Sequence, residues 1–141
     1  MTPTAHTTLT AATARKTPAP DAIALLKADH ALVHGLFDEY SQARSPSRKQ
    51  ALILQLCAEL SVHMQLEEEL LYPAVVKLKT KTLLVPEASV EHAGIKDLIA
   101  QLENTDADTP LVDAQVKVLS EYVRHHVAEE HTSMFPLIEA S

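Results

Sequence analysis

Residues Ser61–Pro73 read SVHMQLEEELLYP, and a related pattern, YVRHHVAEEHTSMFP, occupies Tyr122–Pro136. In each copy a His precedes a Glu by four residues, His63 before Glu67 and His126 before Glu130. Side chains four apart lie on one face of an α-helix, one turn from each other, so each pair can grip a common point. An aromatic-proline pair closes each copy, Tyr72-Pro73 and Phe135-Pro136. The two segments otherwise carry the apolar spacing of buried helix, so a repeated His-Glu pair on that face needs a physical reason.

The same spacing runs outward through four stretches. Asp21 to Ala43 aligns Ile23, Leu26, His30, Val33 and Phe37, and Pro46 to Tyr72 aligns Leu52, Leu56, Leu60, His63, Glu67 and Leu70. A third stretch, from about Pro86 to Asn104, aligns Ala88, His92, Ile95, Ile99 and Leu102. The fourth, from Pro110 to about Met134, aligns Val112, Val116, Leu119, Val123, His126 and Glu130. Alternating steps of three and four predict amphipathic helices packed as an all-α four-helix bundle. Asp21, Ser45 and Thr109 stand where N-caps belong, the last two directly before a proline. Gly is scarce at 2 residues, which disfavours a sheet with tight turns. The link PAVVKLKTKTLLV, after Tyr72, predicts an extra helical turn and a loop.

The chain reads as one domain over 21–141, preceded by a flexible tail over 1–20. That tail, MTPTAHTTLTAATARKTPAP, has no apolar period and buries too little to order itself, unless it packs on the bundle or on a neighbouring chain. His6, within it, has no assigned role.

His30, His63, Glu67, His92, His126 and Glu130 all occupy stripe positions where Leu or Val is expected. A lone His on such a face is ordinarily a hydrogen-bonded core residue. Six polar residues across four helices are a different case. An ionised Glu in a bundle core costs several kcal/mol unless it is paired or bound to metal. Two such charges rival the whole net stability of a small domain. No Lys or Arg shares the stripe near them, so a metal cation is the economical counter-charge, against the competing reading of a polar core without metal.

Position along the helices supports convergence. His30 lies nine residues into the first helix and His63 nine before the end of the second. Antiparallel neighbours would bring the two level, about 14 Å from their shared end. DHALVHGLF (Asp29–Phe37) also matches EHAGIKDLI (Glu91–Ile99), so the chain contains two helical hairpins. Each hairpin supplies one single His and one His-Glu pair, which predicts two metals rather than one.

Composition narrows the function. A net charge of −7 and the absence of a basic run argue against nucleic acid. No apolar run approaches a membrane span, and no secretory signal is evident, so the default expectation is cytoplasmic. The single Cys, Cys57, cannot form an internal disulfide and reads as a small inert helix residue.

The order His, His-x-x-x-Glu, His, His-x-x-x-Glu resembles the hemerythrin-like (HHE cation-binding) domain family. The DH and EH openings at Asp29 and Glu91, and the LYP and MFP endings, strengthen the likeness. Ferritin-like di-iron bundles use Glu-x-x-His motifs instead, which this chain lacks. The resemblance covers nearly everything after the tail. It implies an antiparallel up-down-up-down bundle holding two non-haem Fe ions with a bridging oxo or hydroxo group. It further implies His30, His63, His92 and His126 as terminal ligands and Glu67 and Glu130 as bridges.

One departure bears on function. Oxygen-carrying hemerythrins have a second His four residues after the third-helix His, where this chain has Lys96; His34 instead stands four after His30. Two six-coordinate irons offer about twelve positions. Four His, two bridging Glu and a hydroxide fill about ten of them. His34 is therefore either a seventh ligand, leaving one position open, or a helix residue outside the site, leaving two. Gly35 beside it would permit a close approach.

The resemblance implies binding of O2, NO or peroxide, as a carrier or as a sensor working through a protein partner. The alternatives are a redox enzyme reducing peroxide or nitric oxide, and an iron store or regulator. His125, His131 and Glu129 read as surface residues, Glu68 and Glu69 as a solvated face, and Glu59 as a candidate partner of a ligand His; Tyr122 is placed to be another, with ordinary core packing the preferred reading.

Overall fold

The computed structural model describes residues 19–80, 82–106 and 109–141. Helix α1 spans Ala19–Gln42. A second rod consists of α2 (Pro46–Leu66), a π-helical turn (Glu67–Leu71) and α3 (Tyr72–Lys77). Helix α4 spans Leu84–Glu103. The last rod repeats the second: α5 (Pro110–Glu129), a π-helical turn (Glu130–Met134) and α6 (Phe135–Ala140). No strand occurs among the described residues. The expected tail over 1–18, with His6, lies outside them.

Local chemistry sets these boundaries. The Ser45 side chain accepts the Arg48 N–H at 3.1 Å, and Thr109 accepts the Val112 N–H at 3.2 Å. Each cap is followed by a proline in the first turn, where its missing N–H costs nothing, and contributes about 1 kcal/mol. After α3 the chain reverses through Lys79, whose φ of 55° is left-handed.

Beyond Tyr72 the extra helical turn and loop expected of the link are present as α3 and the turn after it, whereas the last rod continues past Met134, where the sequence suggested an end. Both rods pass through Pro73 and Pro136 by widening first. A proline cannot donate to the carbonyl four residues back and clashes with it, so a wider turn before it relieves the helix. The N–H of Tyr72 bonds to the Glu67 carbonyl, five residues back, and that of Phe135 to the Glu130 carbonyl. The extra residue shifts the register beyond each Glu. Leu71 rather than Leu70 is therefore buried.

Helix α1 packs on α2, α2 on α4, α4 on α5, and α5 on α1, which closes a ring of helices. Inside the ring are two apolar clusters. The larger contains Val33, Phe37, Leu56, Leu60, Ile95 and Val123 among others. The smaller contains Ile23, Leu26, Leu71, Val75, Ala88, Met134, Phe135 and Ile138 together with Tyr72. His30 falls between Leu26 of one cluster and Val33 of the other, and His92 between Ala88 and Ile95. The six polar stripe residues therefore form a layer between two apolar blocks. Cys57 is buried in the larger block, and burial pushes its thiol up to about 11, which keeps it unreactive. Among the described residues no helix is long and apolar enough to cross a membrane.

Candidate metal centre

Each polar residue reaches the layer because it lies on the inward stripe of its helix, and none of the six is more than 5% exposed. Potential ligand atoms of His30, His63, Glu67 and Glu130 lie within 4.8 Å of one another, as do those of Glu67, His92 and His126. The two carboxylates span both groups. Glu67 directs Oε2 to His63 Nε2 at 2.8 Å and Oε1 to His92 Nε2 at 2.9 Å. Glu130 directs Oε1 to His30 Nε2 at 3.1 Å and Oε2 to His126 Nε2 at 2.9 Å. Both Glu residues open a π-helical turn, a feature often found at functional sites.

The outward nitrogens decide what the inward ones can do. His63 Nδ1 lies 3.2 Å from Asp29 Oδ2, His126 Nδ1 2.6 Å from Glu91 Oε1, and His92 Nδ1 2.8 Å from Glu68 Oε2. Carboxylates only accept, so these three Nδ1 atoms carry hydrogen and donate it. His30 Nδ1 lies 2.9 Å from His131 Nε2. In neutral rings the Nε2 lone pairs of His92 and His126 then face each other, 3.1 Å apart; the Nε2 atoms of His30 and His63 lie 3.0 Å apart, and the His131 tautomer decides which nitrogen of His30 carries hydrogen. Facing lone pairs repel unless a cation, whether proton or metal, lies between them. Glu67 Oε2 and Glu130 Oε1 are fully buried with only imidazole nitrogens beside them, His63 Nε2 at 2.8 Å and His30 Nε2 at 3.1 Å. This donor set fits metal cations.

Without metal, protons must serve. Burial opposes charge on His126, but hydrogen bonds to Glu130 and Glu67 outweigh it and lift its pKa to about 11. The same balance raises His30 and His63. Burial alone would raise Glu67; hydrogen bonds from His126, His30, His63 and His92 hold it far below the usual carboxylate range instead. A metal entering the layer must displace these protons.

Tyr72 is the residue that the sequence reading missed. Its hydroxyl stands 3.1 Å from Glu67 Oε1 and from Glu130 Oε2, 2.9 Å from His92 Nε2 and 3.2 Å from His126 Nε2. The Tyr-Pro ending was its signal, but an α-helical register does not turn position 72 inward. Phe135, the matching residue of the other copy, stacks on the His30 ring at 6.0 Å and 16°.

Other candidates fall differently. His34 belongs to neither converging group; it is half-buried, and its Nε2 has no hydrogen-bond partner. Burial, then Arg124, lowers its pKa and keeps it neutral. Gly35 serves no close approach, since a Cβ there would meet nothing within 4 Å. Glu68 is not merely a solvated face: it holds His92 and in turn accepts Lys96 Nζ at 2.9 Å. His131, though exposed, partners His30. The Nδ1 atoms of His63 and His126 are held by Asp29 and Glu91 rather than by Glu59 and Tyr122, and Tyr122 lies half-exposed 3.5 Å from the Cβ position of Gly94. His125 and Glu129 meet Glu91 in a partly exposed group at the surface. A small cavity of about 10 Å³ adjoins the layer, lined by His30, His63 and His126 with Val33, Leu60 and Met64 among others.

The model of the family described as Hemerythrin HHE cation binding domain matches residues 21–138. A protein named DNA nickase from Nostoc sp. (strain PCC 7120 / SAG 25.82 / UTEX 2576) is 29% identical over 114 residues, 81% of this chain. The chain spans only 32% of that relative's length. No solved structure matches the chain significantly.

Proposed function

The chain belongs to the hemerythrin HHE cation-binding domain family, and we propose that it is a non-haem di-iron protein. In this reading an antiparallel up-down-up-down bundle binds O2, or NO or peroxide, for oxygen binding or sensing. One observation carries it: Glu67 presents one oxygen to His30 and His63 and the other to His92 and His126, and Glu130 presents one oxygen to His30 and the other to His126. Carboxylates spanning two imidazole pairs suit two cations that share bridges. A structural zinc site would be closed and four-coordinate, whereas four imidazoles and two carboxylates shared between two cations would leave positions open, as a reactive iron pair needs. His30, His63, Glu67, His92, His126 and Glu130 would hold the metals, and His34 would not.

Bound iron would supply reversible electron transfer to a small oxygen or nitrogen ligand. The chain's own residues do the rest. Asp29, Glu91 and Glu68 fix the tautomer and orientation of three imidazoles. The small cavity admits a body about the size of one water and excludes larger substrates. Its lining offers no polar group besides the three imidazoles, which supports a diatomic ligand. The Tyr72 hydroxyl, an O–H among the ligand atoms, favours a second reading, reduction of peroxide or nitric oxide. DNA cleavage is not carried over from the longer relative, and a net charge of −7 opposes a polyanion. The test is metal analysis followed by optical spectra through cycles of oxygenation and degassing. About two irons per chain and a visible band that returns each cycle support binding; one-way oxidation supports the redox reading.

A further inference from the structure

We propose that Glu91, His125 and Glu129 form a separate, exchangeable site for a divalent transition-metal cation on the outer face of the α4–α5 seam, and that this site delivers the ion to the buried layer. Delivery rests on the metal-centre reading above; the outer site does not.

Potential ligand atoms of the three residues lie within 4.8 Å of one another. His125 Nε2 stands 3.1 Å from Glu129 Oε1 and 3.5 Å from Glu91 Oε2. Two carboxylates gathered at one imidazole repel unless a proton or a cation lies among them. One imidazole with two carboxylates suits a borderline divalent ion such as Fe²⁺, Mn²⁺ or Co²⁺. Exposure is graded across the group: the His125 side chain is 69% exposed, that of Glu129 32% and that of Glu91 22%. The site therefore opens to solvent at His125 and closes toward Glu91. Its open side leaves positions for water, so an ion held there can also leave.

Glu91 joins this group to the layer. Its Oε1 accepts the His126 N–H, while its Oε2 faces His125. One side chain thus serves the outer group and a buried imidazole together. A cavity of about 10 Å³, room for one water-sized body, lies in the same seam. Glu87, Glu91 and Glu129 line it, and so do His126 and Glu130. Surface carboxylates and two residues of the layer therefore share one opening, and walls of one sign of charge concentrate counter-ions.

The other hairpin shows that packing does not account for these residues. In the repeat, Glu87, His125 and Glu129 correspond to Leu25, Val62 and Leu66, while Asp29 stands for Glu91. Leu25 is 48% exposed and Val62 58%. Both hairpins leave these places open to solvent, and only one lines them with metal-binding groups.

The test uses metal-free full-length protein and Co²⁺. Equilibrium dialysis should find one weakly held ion beyond those of the layer, and stopped-flow absorption should follow filling of the layer. The double variant His125→Gln with Glu129→Gln should lose the weak ion and slow filling about 10-fold at limiting Co²⁺, with the final content of the layer unchanged. Val62→Gln, at the matching place on the other hairpin, should alter neither. A double variant that binds as many ions as the parent protein would overturn the outer site. Loss of the weak ion with filling unslowed would overturn delivery. A weak ion sensitive to the double variant, with no ion in the layer, would refute the metal-centre reading and delivery while upholding the outer site.

Discussion

Glu91 Oε1 approaches His126 Nδ1 to 2.6 Å, the shortest bond that any imidazole of the layer makes to its outer partner. It is charge-assisted and fixes the hydrogen on Nδ1, so Nε2 faces the layer as a donor. Glu91→Ala should therefore keep the fold and weaken metal binding by about 10–100-fold. Glu91→Gln, which can still accept through its amide oxygen, should lose less. Competition against a calibrated chelator measures both, and unchanged affinity in Glu91→Ala would contradict the assigned role.

Glu67 is contacted by all four imidazoles of the layer. Its removal takes away a bridge and leaves buried cationic rings short of negative charge. Glu67→Ala should lower metal content below one ion per chain and destabilise the metal-free fold by about 3–5 kcal/mol, the cost of breaking a buried ion pair from one side. Denaturant titration and metal analysis read the two effects separately. Full metal content in the variant would remove Glu67 from the bridging position.

The pH dependence of the metal-free protein follows from His126. Its pKa stands at about 11 in the fold against 6.5 ordinarily. A raised pKa means that the folded state binds the proton more tightly, so the contribution is complete below about 6.5 and is lost as pH rises through about 11. Thermal unfolding of metal-free protein should move to lower temperature between those limits. Metal affinity should rise over the same window, because fewer protons compete. Stability that climbs from pH 7 to pH 10 without metal would mean that the rings are neutral.

Residues 34 and 35 make a contrast. His34→Leu should leave metal content and the optical response to oxygen unchanged, since His34 belongs to neither converging group. Gly35 lies inside α1 with open space at its Cβ position, so Gly35→Ala should stabilise the protein by up to about 1 kcal/mol. A destabilised Gly35→Ala would show a close approach that the structure does not contain.

The stripe residues were legible because helical periodicity is a local property: once His30, His63, His92 and His126 fall at apolar positions, burial follows. The His-Glu spacing likewise states that the pair shares a face. Tyr72 was not legible, since its inward orientation depends on a widened turn that a constant 3.6-residue period cannot express. The same turn moved Leu71 into the place assigned to Leu70. Partners that cross between hairpins, Glu68 to His92 and His131 to His30, were hidden for another reason. They depend on which helices adjoin and at what height, and charged residues beside a buried one look the same in sequence whether they face solvent or a neighbour. Asp29 and Glu91 fall between these cases: both stood in the DH and EH openings, but only the packing shows that each serves the next helix rather than its own.

The polar layer between the two apolar blocks has a mechanical consequence. The side chains of Ile23, Leu26, Val75, Ala88 and Ile138 form a small cap that faces the main apolar block across a wafer of charge, with α1 and α4 running unbroken through it. Its cohesion with that block depends on what holds the wafer closed, because oil on either side cannot reach across it. Cations there act as rivets, and protons as weaker pins that alkali draws out. Occupancy of the centre and the unity of the molecule are then one property, so a change of charge among four imidazoles is felt at the helix tips as loosening or clamping of the cap.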